Sequence, residues 1–215
     1  VKVIVFGASG MVGYGVLREC LVDPLVTEVM VVGRRALGRQ HEKLTESVQP
    51  DMSDLSTVDF AGYDACFFCL GVSSTGMTEA AYRHITYDFT MAAAKPFAEA
   101  NPDSTFTYVS GMGTNANGRQ MWARVKGKTE NDLLAMPFKA YMFRPGYIQP
   151  MYGATSRTAL YRIALTFVAP LFPLIRRLAP NAVTTTEQIG RAMLHVAREG
   201  APKQILDPKD INALR

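Results

Sequence analysis

The opening stretch VKVIVFGASGMVGYG, residues 1–15, narrows the choice of fold more than any other part of the chain. Val1–Phe6 is a short apolar run rich in β-branched residues, the composition of a strand covered on both faces. Glycines follow at 7, 10 and 13, and MVGYGVLRECL then carries helical spacing. Gly7 permits a tight turn, Gly10 leaves room for a pyrophosphate close to the backbone, and Gly13 lets helix and sheet approach. The free N–H groups of Ser9, Met11 and Val12, at the positive end of a helix, favour a diphosphate. A purely structural glycine turn is the alternative; the strand before and the helix after favour nucleotide binding.

The rest of the chain continues the alternation. Glu28–Val32 reads as a second strand, Ser47–Gln49 as a weak third, Ala65–Leu70 as a fourth, Thr105–Val109 as a fifth and Ala140–Phe143 as a sixth. Thr78–Ala94 and roughly Met121–Ala135 have helical composition between them. Strands apolar on both faces and alternating with helices predict an α/β chain: a Rossmann-like, doubly wound parallel sheet with helices on both faces. At 215 residues, 48% hydrophobic, the chain can build one well-buried core. We read residues 1–215 as a single domain with a small C-terminal pocket portion, about 147–187 forming an apolar pocket, lid or dimer-contact segment. Within that portion, RTALYRIALTFVAPLFPLIRRL at 157–178 has the length of a membrane span. Arg162 inside it, and the interruptions at Pro170 and Pro173, point instead to burial against the sheet or a lid.

Other classes find little support. The net charge of +4, with no long basic block, argues against a nucleic-acid partner. Cys66 and Cys69 form a CxxC, but DACFFCLG reads as a buried strand on which residues three apart face opposite ways, so packing is expected rather than metal or redox chemistry. Three scattered histidines give no metal pattern. The first residues read as a strand, not a signal peptide, the missing initiator Met suggests trimming, and a reducing, cytoplasmic setting is expected.

The end of the second strand selects the nucleotide. An acidic residue there would accept from both ribose hydroxyls of NAD, whereas this chain has VVGRRALGR. Arg34 and Arg35 offer charged forks to a 2′-phosphate, with Arg39 further away, so NADP is expected over NAD. Asp51 either accepts from the adenine amino group or caps a turn. Cys69, Leu70 and Gly71 end the fourth strand at the crevice and would pass the cofactor towards its nicotinamide half.

GASGMVG, VVGRR, CLG at 69–71, YVSGMG at 108–113, VKGKTE at 125–130 and FRPG at 143–146 occur in an order that resembles the short-chain dehydrogenase/reductase superfamily, in its atypical, extended-like, epimerase-like branch. The similarity spans nearly the whole chain. It implies a Rossmann-like sheet carrying NADP(H), a family Lys at Lys126 that bonds the nicotinamide ribose, and backbone of Arg144, Pro145, Gly146 and Tyr147 near the carboxamide. The family's Tyr falls on Trp122, whose indole donates a hydrogen bond but has no useful acid–base pKa. Ser110 ends the fifth strand, yet Gly111 and Met112 follow where hydroxyls are often supplied; Thr114 and Tyr147 are the candidates to stand in, while Tyr87, His84 and His195 read as packing residues.

Two functions follow from this reading. The first is an NADP(H)-dependent oxidoreductase acting on a small or hydrophobic carbonyl/alcohol pair, with Lys126, Ser110, Trp122 and Tyr147 at the chemistry. The second is an NADP(H)-binding sensor with weak or no turnover; a nucleotide-sugar epimerase ranks below both, because the phenol is missing and the tail is short and apolar. A small apolar substrate is expected, a homodimer or protein partner is left open, and neither nucleic acid nor membrane contact is expected.

Overall fold

In a computed structural model, residues 1–155, 177 and 182–214 are described. The 157–178 segment, Arg177 apart, therefore lies outside the described residues, as does much of the 147–187 portion. The described chain runs β1 (Lys2–Phe6), α1 (Met11–Val22), β2 (Glu28–Gly33), β3 (Leu44–Val48), β4 (Ala65–Phe68), α2 (Glu79–Arg83), a π-helical turn (His84–Asp88), α3 (Phe89–Ala100), β5 (Thr105–Val109), α4 (Met121–Leu134), β6 (Lys139–Phe143), β7 (Tyr147–Gln149), β8 (Val183–Thr185), α5 (Thr186–Glu199), β9 (Ile205–Leu206) and α6 (Pro208–Ala213).

Seven strands form one parallel sheet in the order β3-β2-β1-β4-β5-β6-β9, and β7 and β8 pair separately. The order reverses between β1 and β4, which opens a crevice at their carboxyl ends. Both faces are covered, as continuous apolar strands require. Along β1, Val3 and Val5 face a cluster with α1 and α5, while Ile4 and Phe6 face one with α3 and the end of α4. Cys66 packs in the second cluster and Cys69 against the first, so the CxxC thiols do point to opposite faces; burial pushes both thiols up, away from thiolate chemistry.

The third strand is Leu44–Val48, earlier than the Ser47–Gln49 read from sequence. It is an edge strand, and its Thr45, Glu46 and Ser47 pair with Met30, Val31 and Val32 without carrying an apolar pattern of their own. The single helix expected over Thr78–Ala94 is a composite that continues to Ala100. One π turn interrupts it, with Phe89 N–H bonding to His84 O, and Pro96 sits inside its second half. β7, β8 and β9, of three, three and two residues, are too short to leave a periodic signal.

Helices α1 and α5 cross at glycines. A Cβ on Gly15 would lie 2.5 Å from Thr186 Cβ and 2.8 Å from its carbonyl oxygen; one on Gly190 would lie 2.8 Å from Glu19 Cγ. The buried Glu19 carboxylate at this crossing is held by Arg18 and by Arg191, the latter at 3.2 Å. Because backbone, not a flexible side-chain tip, faces Gly15, Gly15→Ala should destabilise the fold by about 1–3 kcal/mol, read as a lower urea midpoint.

Candidate nucleotide site and the ends of β5 and β6

The glycine turn is built as its spacing requires. Gly7 has φ +77, and a Cβ there would sit 2.6 Å from Leu70 N, so β1 and β4 meet in the crevice with no room for a side chain. A Cβ on Gly13 would fall 2.2 Å from Gly7 O, which locks the first turn of α1 against the strand end. Gly10 is the N-cap, its N–H bonding Gly7 O at 2.9 Å, and no side chain caps the helix. The N–H groups of the first turn, including those of Met11 and Val12, are thus left for an anion beside the exposed Ser9. No acidic residue occupies this turn to oppose one.

Arg34 and Arg35 follow β2, both exposed, and among the described residues neither is paired with a carboxylate. Arg39 is exposed further along the loop. Asp51 caps a turn: its Oδ1 accepts from Ser53 N–H at 2.8 Å and from the Ser53 hydroxyl, which holds the carboxyl below its usual range. Gly71 lies past β4, exposed, with open space where a Cβ would point.

The other candidate residues meet at the ends of β5 and β6. Lys126 Nζ donates to the carbonyls of Ser110, at 2.6 Å, and Val109, at 3.2 Å. Burial lowers this ammonium to about 8, against a smaller opposing pull from Glu130. Trp122, one turn earlier on the same helix face, lies over the loop after β5; a Cβ on Gly113 would be 3.5 Å from its Cη2. Its indole N–H is taken by Gln120 Oε1. Met112 N–H bonds Pro145 O at 3.1 Å and Tyr147 N–H bonds Ala182 O at 3.1 Å, so the Pro145–Tyr147 backbone is brought beside the same loop. The Tyr147 hydroxyl donates to Gln149 Oε1 at 3.0 Å.

Ser110 is placed below this surface. Its hydroxyl bonds Glu130 Oε1 at 2.5 Å and Phe143 O at 3.2 Å, and Glu130 is 1% exposed. Arg144 clamps the same carboxylate, Nε to Oε1 at 3.0 Å and Nη2 to Oε2 at 2.5 Å. The Thr114 hydroxyl turns back to Gly111 O at 2.8 Å. Tyr87 bonds Asp132 away from the crevice end, His84 pairs with Asp88, and His195 lies 3.9 Å from Glu199. Among the described residues no cluster of His, Cys, Asp and Glu is arranged to hold a metal. Sequence reasoning missed Glu130 and Gln120, and took Arg144 only for its backbone. The signal for Glu130 was its place four residues after Lys126, on one helix face.

The fold and this site define a Rossmann-type α/β domain. The same architecture is found in a Saccharomyces cerevisiae short-chain dehydrogenase/reductase (TM-score 0.68, 16% identity, 100% of this chain and 99% of that one). It recurs in the Bordetella bronchiseptica enzyme WbmF, solved with NAD+ (TM-score 0.70, 15% identity, 99% and 76%). In sequence, the chain is homologous to protein FMP52-2, mitochondrial, of Scheffersomyces stipitis, 30% identical over 150 residues, and to protein HTATIP2 of Rattus norvegicus, 28% over 153 residues. These alignments take in 67% and 68% of this chain and 65% and 62% of the relatives, so the chain spans less than two thirds of their length. No protein-family model matches the chain. Homologues accompany the chain in sequence, and the fold that the motif resemblance implies holds. The cytoplasmic expectation does not: FMP52 relatives from several yeasts are designated mitochondrial. Nor, among the described residues, is any helix long and apolar enough to cross a membrane.

Glu130 is buried and its partner Arg144 partly so, and removing the carboxylate leaves both the guanidinium and the buried Ser110 hydroxyl without it. Glu130→Ala should cost about 3 kcal/mol in chemical denaturation, whereas Glu79→Ala, which breaks an exposed pair with Arg124, should cost under about 1 kcal/mol.

Proposed function

We propose that the chain binds NADP(H) and acts as an atypical short-chain oxidoreductase, moving hydride between the nicotinamide and a small or hydrophobic carbonyl/alcohol substrate. The observation that carries this reading is the glycine turn at the sheet's switch point, where Gly7, Gly10 and Gly13 leave an uncapped helix start open to a diphosphate. Arg34 and Arg35, exposed and without carboxylate partners among the described residues, support NADP over NAD. On this reading Asp51 would lie near the adenine end, Leu70 and Gly71 would line the middle of the crevice, and Lys126 would stand at the nicotinamide end. Bound NADPH supplies the hydride; the protein's part is to hold it, exclude water and provide a proton. Met11, Met112 and Trp122 give the substrate side little charge, which suits an apolar carbonyl.

One observation favours a binding protein without turnover as the second reading. The hydroxyls of Ser110, Thr114 and Tyr147 are all engaged within the protein, and on the resemblance Trp122 takes the place of the phenol that would shuttle a proton. A nucleotide-sugar epimerase is weaker than either, since reversible oxidation also needs that phenol. The mitochondrial designation of the FMP52 relatives makes that organelle the place to look for the protein.

Trp122 is the only tryptophan, so its emission reports directly on this site. Nucleotide-stripped protein titrated with NADPH should show saturable quenching, with weaker binding of NADH. Replacing Arg34 and Arg35 together by Ala should weaken NADPH binding about 10- to 100-fold and leave NADH nearly unchanged, the loss expected of one or two charge-assisted bonds. If neither nucleotide alters the emission and calorimetry detects no binding, the glycine turn is structural and both nucleotide readings fall.

A further inference from the structure

The proposed chemistry needs an acid near the substrate oxygen, and the side chains expected to provide one are occupied. Ser110 donates its proton to Glu130, Thr114 to Gly111 O, Tyr147 to Gln149 and the Trp122 indole to Gln120. Tyr87 and His84 are committed to Asp132 and Asp88, away from the ends of β5 and β6. Lys126 differs from all of these. Two of its three ammonium hydrogens go to the carbonyls of Ser110 and Val109, and the third has no acceptor among the described residues. It shares a helix face with Trp122, which already lines the loop after β5.

We propose that Lys126 is itself the acid of the reaction, giving a proton from Nζ to the substrate oxygen in place of the residue at 122, with Ser110 and Glu130 as its positioning residues. This rests on the reading of the chain as an NADP(H)-dependent carbonyl reductase. In the reducing direction the carbonyl carbon accepts hydride, with its two electrons, from the reduced nicotinamide nucleotide, which is oxidised. The C=O π pair moves onto oxygen, an O–H bond forms there and one Nζ–H bond breaks. Lys126 is left as a neutral amine, and water returns its proton.

The surroundings suit a lysine that gives up a proton and regains it. From its own helix, Glu130 lies one turn on and favours the charged form, yet both of its oxygens are engaged by Arg144 from the end of β6, and one also by Ser110. That sharing weakens its hold on the Lys126 proton. From β5 the Tyr108 ring lies 5.8 Å from Nζ; burial keeps its phenol protonated, as it does that of Tyr82 from α2. Ser110 joins the two halves, its carbonyl fixing Lys126 and its hydroxyl fixing Glu130.

The test uses the full chain. Trace acetylation of the nucleotide-free protein across pH, read by mass spectrometry, should give Lys126 a midpoint near 8 while exposed lysines label near 10.4, and NADPH should protect Lys126 alone. With NADPH and either 4-nitrobenzaldehyde or phenanthrenequinone, the wild-type rate should fall as pH rises through that midpoint. Lys126→Arg keeps the charge but cannot release a proton near neutral pH. It should retain NADPH quenching within about threefold and lose at least about 100-fold in rate. Labelling of Lys126 with the ordinary lysines, a Lys126→Arg variant that still reduces the probes, or a wild type that binds NADPH yet reduces neither would each overturn the proposal. Absence of NADPH quenching in the wild type is a different failure, that of the nucleotide reading, and the labelling midpoint still decides whether Lys126 is poised.

Discussion

Everything at the crevice depends on one contact in which no side chain fits. Gly7 O lies where a Cβ of Gly13 would be, and Leu70 N where a Cβ of Gly7 would be. That double approach brings the end of β1, the start of α1 and the end of β4 to one point, and leaves the helix start uncapped there. Any larger residue at Gly13 would push α1 away from the sheet and take α5 with it, because Gly15 and Gly190 hold those two helices together. The glycine turn and the main helix crossing are therefore one structural unit.

The ends of β5 and β6 are organised by charge instead. Arg144, Glu130 and Ser110 form a buried chain from strand to helix to strand, with Lys126 resting on its upper side through the Ser110 carbonyl. A carboxylate this buried is tolerable because Arg144 and Ser110 satisfy it. The consequence is that Ser110, at the position a sequence reader offers to the substrate, serves the interior. Trp122 likewise spends its one donor on Gln120 and presents its ring to the loop. Lys126, by contrast, keeps a hydrogen with no acceptor among the described residues.

How much of this was legible depended on whether residue type and spacing were enough. The order of strands and helices could be read because both sheet faces are buried, so β1, β2, β4, β5 and β6 stand out as apolar runs. β3 was read as starting three residues late and ending one late because an edge strand needs no apolar pattern, and β7 to β9 were missed because two or three residues carry no period. The Cys66–Cys69 reading survived because strand alternation is a local rule. The expectation of a cytoplasmic location had no comparable physical basis, and the mitochondrial relatives overturned it.

By itself the sequence determined the class of fold, the glycine turn and the pairing of Trp122 with Lys126 on one helix face, since each follows from backbone sterics or from periodicity along the chain. The tertiary structure alone decided which hydroxyls and charges are already engaged. Ser110 meets Glu130 twenty residues away and Glu130 meets Arg144 fourteen away, and the direction of a buried hydrogen bond is set by whichever partner the packed elements bring within reach.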